Sequence, residues 1–235
     1  MTVTVKDGAL LDEAVTEGQE PAARARGGRR RVWWPAALAA AVALGLGVPA
    51  LVGSTSGGTA VAVPAQESAE AGFARDMSTH HQQAVDMSFI VRDRTQAQDV
   101  RTLAFDIINT QANQRGMMTG WLDQWGLTQH SGATPMAWMK MDHQFTAHDG
   151  ALMPGMATNT DLDKLRSLSG RDAEVLYLQL MIEHHKGGVS MAQGFLDIGT
   201  DPVEKRLAQT MVNGQSAEID LMTSMLAERG AKPLA

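Results

Sequence analysis

Two short stretches of the chain carry the same set of chemically useful side chains. The stretches "MSTHHQQAVDM" and "MIEHHKGGVSM" each place a pair of adjacent histidines between two methionines. The first contains Met77, His80, His81 and Met87, and the second contains Met181, His184, His185 and Met191. Imidazole nitrogens bind copper, zinc, nickel and iron, whereas a thioether is a soft ligand that selects Cu(I). Because the chain has no cysteine, methionine is the soft ligand that it offers.

The spacing within each stretch is that of one helix face. Met77, His80 and Met87 lie three and then seven residues apart, so a helix presents them along one stripe, with His81 one turn after Met77. A small residue, Ala84 in the first stretch and Gly188 in the second, lies one turn after the histidines, which leaves space beside the rings. If the two stretches pack against each other, we expect the four histidines and four methionines to gather into one metal site.

The two stretches belong to an internal duplication. Residues 73–126 align with residues 177–230 at a constant offset of 104, without a gap, and fourteen of the fifty-four positions are identical. Each copy predicts two helices, with bounds of about 70–94 and 96–125 in the first copy and about 171–199 and 202–229 in the second.

Several residues mark the predicted helix ends. Thr95 and Gln98 have the spacing of a capping box, and Gly126 suits the left-handed residue that follows a helix. Asp201 followed by Pro202 is typical of a helix N-terminus. Two helical hairpins, each with an apolar stripe that it cannot bury alone, predict an all-α fold in which the hairpins form a four-helix bundle.

The connection between the copies, residues 127–169, is too long for a simple turn. Thr134-Pro135 predicts the start of one short helix, and Thr160 predicts another. Within the connection, residues 134–156 carry two histidines and five methionines: His143, His148, Met136, Met139, Met141, Met153 and Met156. We therefore expect a functional segment or a cap over the bundle rather than a flexible linker.

The N-terminal part of the chain predicts a membrane anchor. Residues 1–31 lack apolar periodicity and end in a cluster of arginines, so we expect a disordered cytoplasmic leader. Residues 32–53 are free of charge and long enough to cross a bilayer. The one-sided arginines place the following linker (54–69) and the domain (70–230) outside the cytoplasm. A cleaved signal sequence is the alternative, because residues 59–66 resemble a cleavage site.

The charge and the motifs exclude several classes of protein. From residue 66 onward, 14 Lys and Arg stand against 21 Asp and Glu, which argues against a nucleic-acid partner. The sequence contains no Glu-x-x-His, no His-Glu-x-x-His, no Gly-rich phosphate loop and no Gly-x-Ser-x-Gly. We therefore predict a protein that is not an enzyme.

The doubled motif, together with "MPGM" at residues 153–156, resembles a bacterial family named only as domain of unknown function 305. The resemblance covers about residues 70–230. It implies a ferritin-like bundle in secreted or membrane-anchored proteins, some of which are linked to copper binding and resistance. It also implies ligand roles for the four motif histidines and for His143 and His148.

Three hypotheses follow from these observations. The first is an extracytoplasmic protein that sequesters Cu(I) or exchanges it with a donor or acceptor protein, with zinc or another divalent ion as an alternative metal. The second is a structural or interaction bundle whose histidines form buried hydrogen bonds. The third is a ferritin-like, metal-dependent oxidase.

Overall fold

Five α-helices make up the part of the chain that is described. In a computed structural model, the described residues are 63–140 and 145–234. The helices are α1 (Ala69–Arg94), α2 (Gln98–Gln124), α3 (Asn159–Ser167), α4 (Gly170–Ile198) and α5 (Pro202–Glu228). A 3-10 turn, Ala137–Met139, lies in the connection between the copies. Within these residues there is no β-strand beyond one isolated bridge between His148 and Ala151, and the all-α prediction is confirmed.

The four long helices begin and end within two residues of their predicted bounds. At the start of α5, Asp201 accepts hydrogen bonds from the backbone N–H groups of Val203 and Glu204, both at 2.8 Å. After α2, Gly126 takes a left-handed conformation with φ of 68°. These ends are set by contacts within a single turn, and the sequence pattern predicts such contacts well.

The predicted capping box at Thr95 is wrong. Thr95 ends α1, and α2 begins after Ala97, which has no side-chain cap. The Thr95 hydroxyl accepts from the Ala97 N–H at 2.9 Å and donates to the carboxylate of Glu174, which lies on α4. The Thr95 hydroxyl therefore binds Glu174 and the turn instead of capping α2.

The short helices of the connection also differ from their predicted positions. The first is only the 3-10 turn at Ala137–Met139. The second, α3, begins at Asn159, one residue before Thr160, because Thr158 and Asp161 form a complete capping box there. The Thr158 hydroxyl accepts from the Asp161 N–H, and the Asp161 carboxylate accepts from the Thr158 N–H, both at 3.0 Å.

The long helices form two hairpins, α1 with α2 and α4 with α5, which meet where α1 packs against α4. Two apolar clusters make the core. One contains Met87 and Met181, and the other contains Met77 and Met191. This cross-pairing shows that α1 and α4 run antiparallel, as expected for two copies related by an approximate two-fold axis. Along both helices the histidine pairs lie between the two clusters.

Two equivalent glutamates make hydrogen bonds between the hairpins. Glu70 and Glu174 are separated by the repeat offset of 104. Glu70 accepts from the N–H and hydroxyl of Thr200 at 2.8 and 2.9 Å, in the turn between α4 and α5. Glu174 contacts Thr95 in the turn between α1 and α2 and pairs with Arg229 at 2.8 Å. Each hairpin therefore supplies a carboxylate that caps the turn of the other.

The predicted leader (1–31) and anchor or signal (32–53) lie outside the described residues. Among the helices of residues 63–140 and 145–234, none combines the length and apolar character that a membrane crossing requires.

Candidate metal centre

The four motif histidines are completely buried where α1 meets α4. The rings of His80 and His184, one from each copy, face each other with their centroids 3.7 Å apart and their planes 32° apart. The Nε2–H of His184 donates to the carbonyl oxygen of His80 at 2.9 Å. The prediction that the two stretches pack together is therefore confirmed for the histidines.

The second histidine of each pair is held by a side chain from the neighbouring helix. His81 Nε2 lies 2.7 Å from Oε1 of Gln114 on α2, and His185 Nε2 lies 2.6 Å from Oε2 of Glu218 on α5. In both contacts the ring N–H donates to the oxygen. The partner is 33 residues beyond its histidine in both copies, so the two contacts are equivalent under the repeat.

The remaining ring nitrogens have no partner. Nδ1 of His80, His81, His184 and His185 is buried without a hydrogen bond, and so is Nε2 of His80. Buried polar atoms are almost always hydrogen-bonded, so five unpaired nitrogens in one region require an explanation. A neutral imidazole that donates through Nε2–H carries a lone pair on Nδ1, which is the arrangement of a metal-binding histidine and its supporting partner.

Burial keeps the imidazoles of His80, His81 and His184 neutral. It lowers the pKa of His80 to about 3, with repulsion from His81 and His185 adding to the effect. The carbonyl of Pro154 offsets part of this lowering, although its geometry does not make a hydrogen bond. Burial likewise lowers the pKa of His81 to about 4 and that of His184 well below its ordinary value. At neutral pH the lone pairs of these rings are therefore free of protons.

The four motif methionines are all buried, but they do not form one group. Met77 lies with Met191 in one apolar cluster, and Met87 lies with Met181 in the other. The two methionines of a motif are ten residues apart, which is about 15 Å along a helix. The expectation that all four gather in one place is therefore wrong. They flank the histidines in two pairs.

A segment of the connection, Met153–Ala157, crosses α1 and α4 beside the histidines, and we call it the strap. The amide of Gln83 on α1 donates to the Ala157 carbonyl at 2.9 Å and accepts from the Ala157 N–H at 2.7 Å. On α4, a Cβ at Gly187 would collide with the carbonyl of Pro154. Gln83 and Gly187 are equivalent positions of the two copies. They differ in type because Gln83 hydrogen-bonds to the strap, whereas Gly187 leaves space for it.

The described histidines of the connection, His130 and His148, are exposed and do not join the buried four. His148 is exposed, and its Nδ1 is 3.1 Å from the carbonyl oxygen of Thr146. His143 lies outside the described residues. Within the described part of the chain, no three His, Asp or Glu side chains are arranged so that they could hold a metal ion. The ligand roles predicted for the motif residues and for His143 and His148 stay predictions.

Sequence reasoning missed the partners of the histidines. The offset of 104 aligns Gln114 with Glu218. Because the two residues are not identical, the pair is not among the fourteen matches of the repeat. The same offset matches Gln111 with Gln215, whose buried amides have no hydrogen-bond partner. Gln215 also packs against Gly188, where a Cβ would collide with its amide oxygen. Equivalent positions at the repeat offset are therefore the signal that could have found these residues.

Solved structures resemble the chain over its helical domain. A DUF305 protein of Streptomyces coelicolor, described as a candidate secreted protein, is 58% identical, with a TM-score of 0.68 over 73% of this chain and 99% of that one. A DUF305 fragment from Deinococcus radiodurans is 32% identical, with a TM-score of 0.56 over 71% and 98% of the two chains. CopM in its Cu(II)-bound form is 26% identical, with a TM-score of 0.52 over 68% and 97%. No functionally curated protein matches the chain significantly.

The family model described as domain of unknown function (DUF305) matches residues 70–226, which span α1 to α5 and include both histidine pairs. The match covers well over half of the chain, and two of the similar structures carry the same family name. The chain therefore belongs to the DUF305 family.

Proposed function

We propose that this domain binds copper outside the cytoplasm, as Cu(I), through the paired histidines and the flanking methionines. The observation that carries the proposal is the set of buried ring nitrogens without a partner, repeated in both copies of the motif. Binding a metal ion to Nδ1 would supply the partner that the protein does not.

The chemistry of the surrounding side chains supports copper. The rings are neutral because burial lowers the pKa of His80, His81 and His184, so no proton competes strongly for the lone pairs. Four thioethers lie in the adjacent layers of the core, and thioether and imidazole together suit Cu(I). The similarity to CopM, a structure of which contains Cu(II), points in the same direction. Zinc and other divalent ions are the alternatives that the same nitrogens would accept.

Location and mode of action complete the proposal. The arginine cluster and the uncharged residues 32–53 favour a membrane anchor or a signal ahead of a ferritin-like bundle, and the Streptomyces relative is described as a candidate secreted protein. We propose reversible ligand exchange with a metal donor or acceptor protein and no catalysed reaction.

The test is a Cu(I) competition titration against a coloured chelator with the domain from residue 63. The Streptomyces structure supports use of this fragment, because nearly all of its chain matches this domain. The variant His81→Gln/His185→Gln removes two of the four buried Nδ1 atoms that could bind the metal. The new glutamine amides can still hydrogen-bond to Gln114 and Glu218. The matched control is His148→Gln, since His148 is exposed.

We expect the wild-type domain to bind Cu(I) tightly, the double variant to lose at least tenfold in affinity, and the control to bind like wild type. Wild-type protein that does not compete with the chelator would refute copper binding and favour the structural hypothesis, in which the histidines only support the core. Tight binding that survives in a correctly folded double variant would refute the assignment of these two ligands.

A further inference from the structure

The two copies of the site differ in one atom of their supporting side chains. His81 is held by an amide, Gln114, and His185 by a carboxylate, Glu218. Both rings are completely buried, and the two distances, 2.7 and 2.6 Å, are nearly equal. The positions are equivalent under the repeat, so the effects of an amide and of a carboxylate on the same histidine can be compared within one protein.

An amide and a carboxylate constrain a histidine differently. A carboxylate has only acceptor atoms, so Glu218 requires the N–H of His185 to be on Nε2 and the lone pair to be on Nδ1. An amide has both an acceptor and a donor end, so Gln114 can turn over and hold either tautomer of His81. Only one of the two rings is therefore locked in the form that presents Nδ1 to a metal ion.

The carboxylate also strengthens the ligand that it holds. A hydrogen bond to an ionised group is shorter and stronger than one to a neutral amide, and it raises the basicity of the ring. Glu218 is reachable from solvent, with 25% of its side chain exposed, whereas the ring beside it is not. The negative charge thus lies at the edge of the site, next to a buried group that would bind a cation.

We propose that Glu218 is the positioning residue of the metal site and that it makes the His185 side bind copper more tightly than the His81 side. This inference rests on the proposed copper-binding function. A supporting carboxylate of this kind typically changes metal affinity by 10- to 100-fold, so we expect an effect of about tenfold or more.

The experiment exchanges the two supporting groups in the full chain. The variants are Glu218→Gln, Gln114→Glu and the double swap, and the control is Glu183→Gln. Glu183 is on α4 close to the histidines, but it pairs with Lys186 at 2.7 Å, so its removal changes the charge and leaves the ring contacts intact. Each change keeps the size of the side chain. The measurements are Cu(I) affinity by chelator competition and the tautomer of each histidine in the metal-free protein by ¹⁵N NMR.

We expect Glu218→Gln to lower the affinity by about tenfold or more and to release His185 into a mixture of tautomers. Gln114→Glu should hold His81 in one tautomer and raise its affinity for copper. In the double swap, the tighter-binding side should be the His81 side instead of the His185 side. The control should match wild type in both measurements.

Two results would overturn the inference in distinguishable ways. Wild-type protein that binds no copper would overturn the proposed function and this inference with it. Copper binding that Glu218→Gln leaves unchanged, with His185 still in one tautomer, would overturn the inference alone. The NMR measurement separates positioning from structural support, because a residue that merely stabilises the fold would not change the tautomer.

Discussion

Glu204 is a carboxyl group that the fold buries without a partner. Its side chain is completely buried near the start of α5, and neither of its oxygens has a hydrogen bond. Burial, followed by repulsion from Glu70 and Asp201, raises its pKa to about 9. The equivalent position in the first copy is Val100, which is also completely buried. We therefore predict that replacing the carboxyl group stabilises the protein at neutral and alkaline pH.

The magnitude follows from the difference in pKa between the folded and unfolded chain. The pKa rises from 4.5 to about 9 on folding, so the folded state retains a proton that the unfolded state releases. The contribution of Glu204 to stability is therefore fully present below pH 4.5 and is lost as the pH rises towards 9. At about 1.4 kcal/mol per pH unit, the loss between pH 4.5 and pH 7 is at most about 3.5 kcal/mol.

The assay is urea unfolding of the wild-type domain and of Glu204→Gln at pH values from 5 to 9. We expect the free energy of unfolding of the variant to exceed that of wild type by an amount that grows with pH and reaches up to about 3.5 kcal/mol at pH 7. Glu204→Val, which copies the residue of the first repeat, should show the same trend. Glu228→Gln is the control, since Glu228 is exposed on the same helix. A constant difference between pH 5 and pH 8 would refute the reasoning.

Two further predictions concern the strap and the histidines. Gly187→Ala should destabilise the domain by about 1–3 kcal/mol, because its Cβ would collide with the backbone carbonyl of Pro154. Gly188→Ala should cost less, since its Cβ meets only the movable amide of Gln215; equal losses in chemical denaturation would contradict this. The folded pKa of His81 is about 4, below its ordinary 6.5, so its contribution to stability is present above pH 6.5 and is lost as the pH falls towards 4. His81→Gln should therefore flatten the fall in melting temperature below pH 6.5, and an unchanged profile would show that the acid sensitivity has another source.

Local signals in the sequence predicted the long helices well. Gly126 and Asp201 act within one turn of the helix that they end or begin, so no distant part of the chain is needed to interpret them. Thr95 shows where this reasoning fails. Its hydroxyl contacts Glu174, 79 residues away, and a contact of that separation depends on how the hairpins pack.

The repeat predicted which histidines would meet, but not what else would meet them. The buried faces of α1 and α4 follow from residue spacing, because helical periodicity places Met77, His80 and Met87 on one stripe. The supporting roles of Gln114 and Glu218 depend on the positions of α2 and α5. The sequence pattern alone gives no preference for those residues over their polar neighbours.

By itself the sequence determined the duplicated helical hairpins, their bounds and the burial of two matched histidine pairs, since these depend on periodicity and on contacts within a turn. Tertiary structure decided that the methionines separate into two pairs, that the strap crosses beside the histidines, and that an amide supports one copy and a carboxylate the other. These features join residues far apart in the chain. The contacts that stabilise them form only when the helices pack, so a local sequence pattern does not predict them.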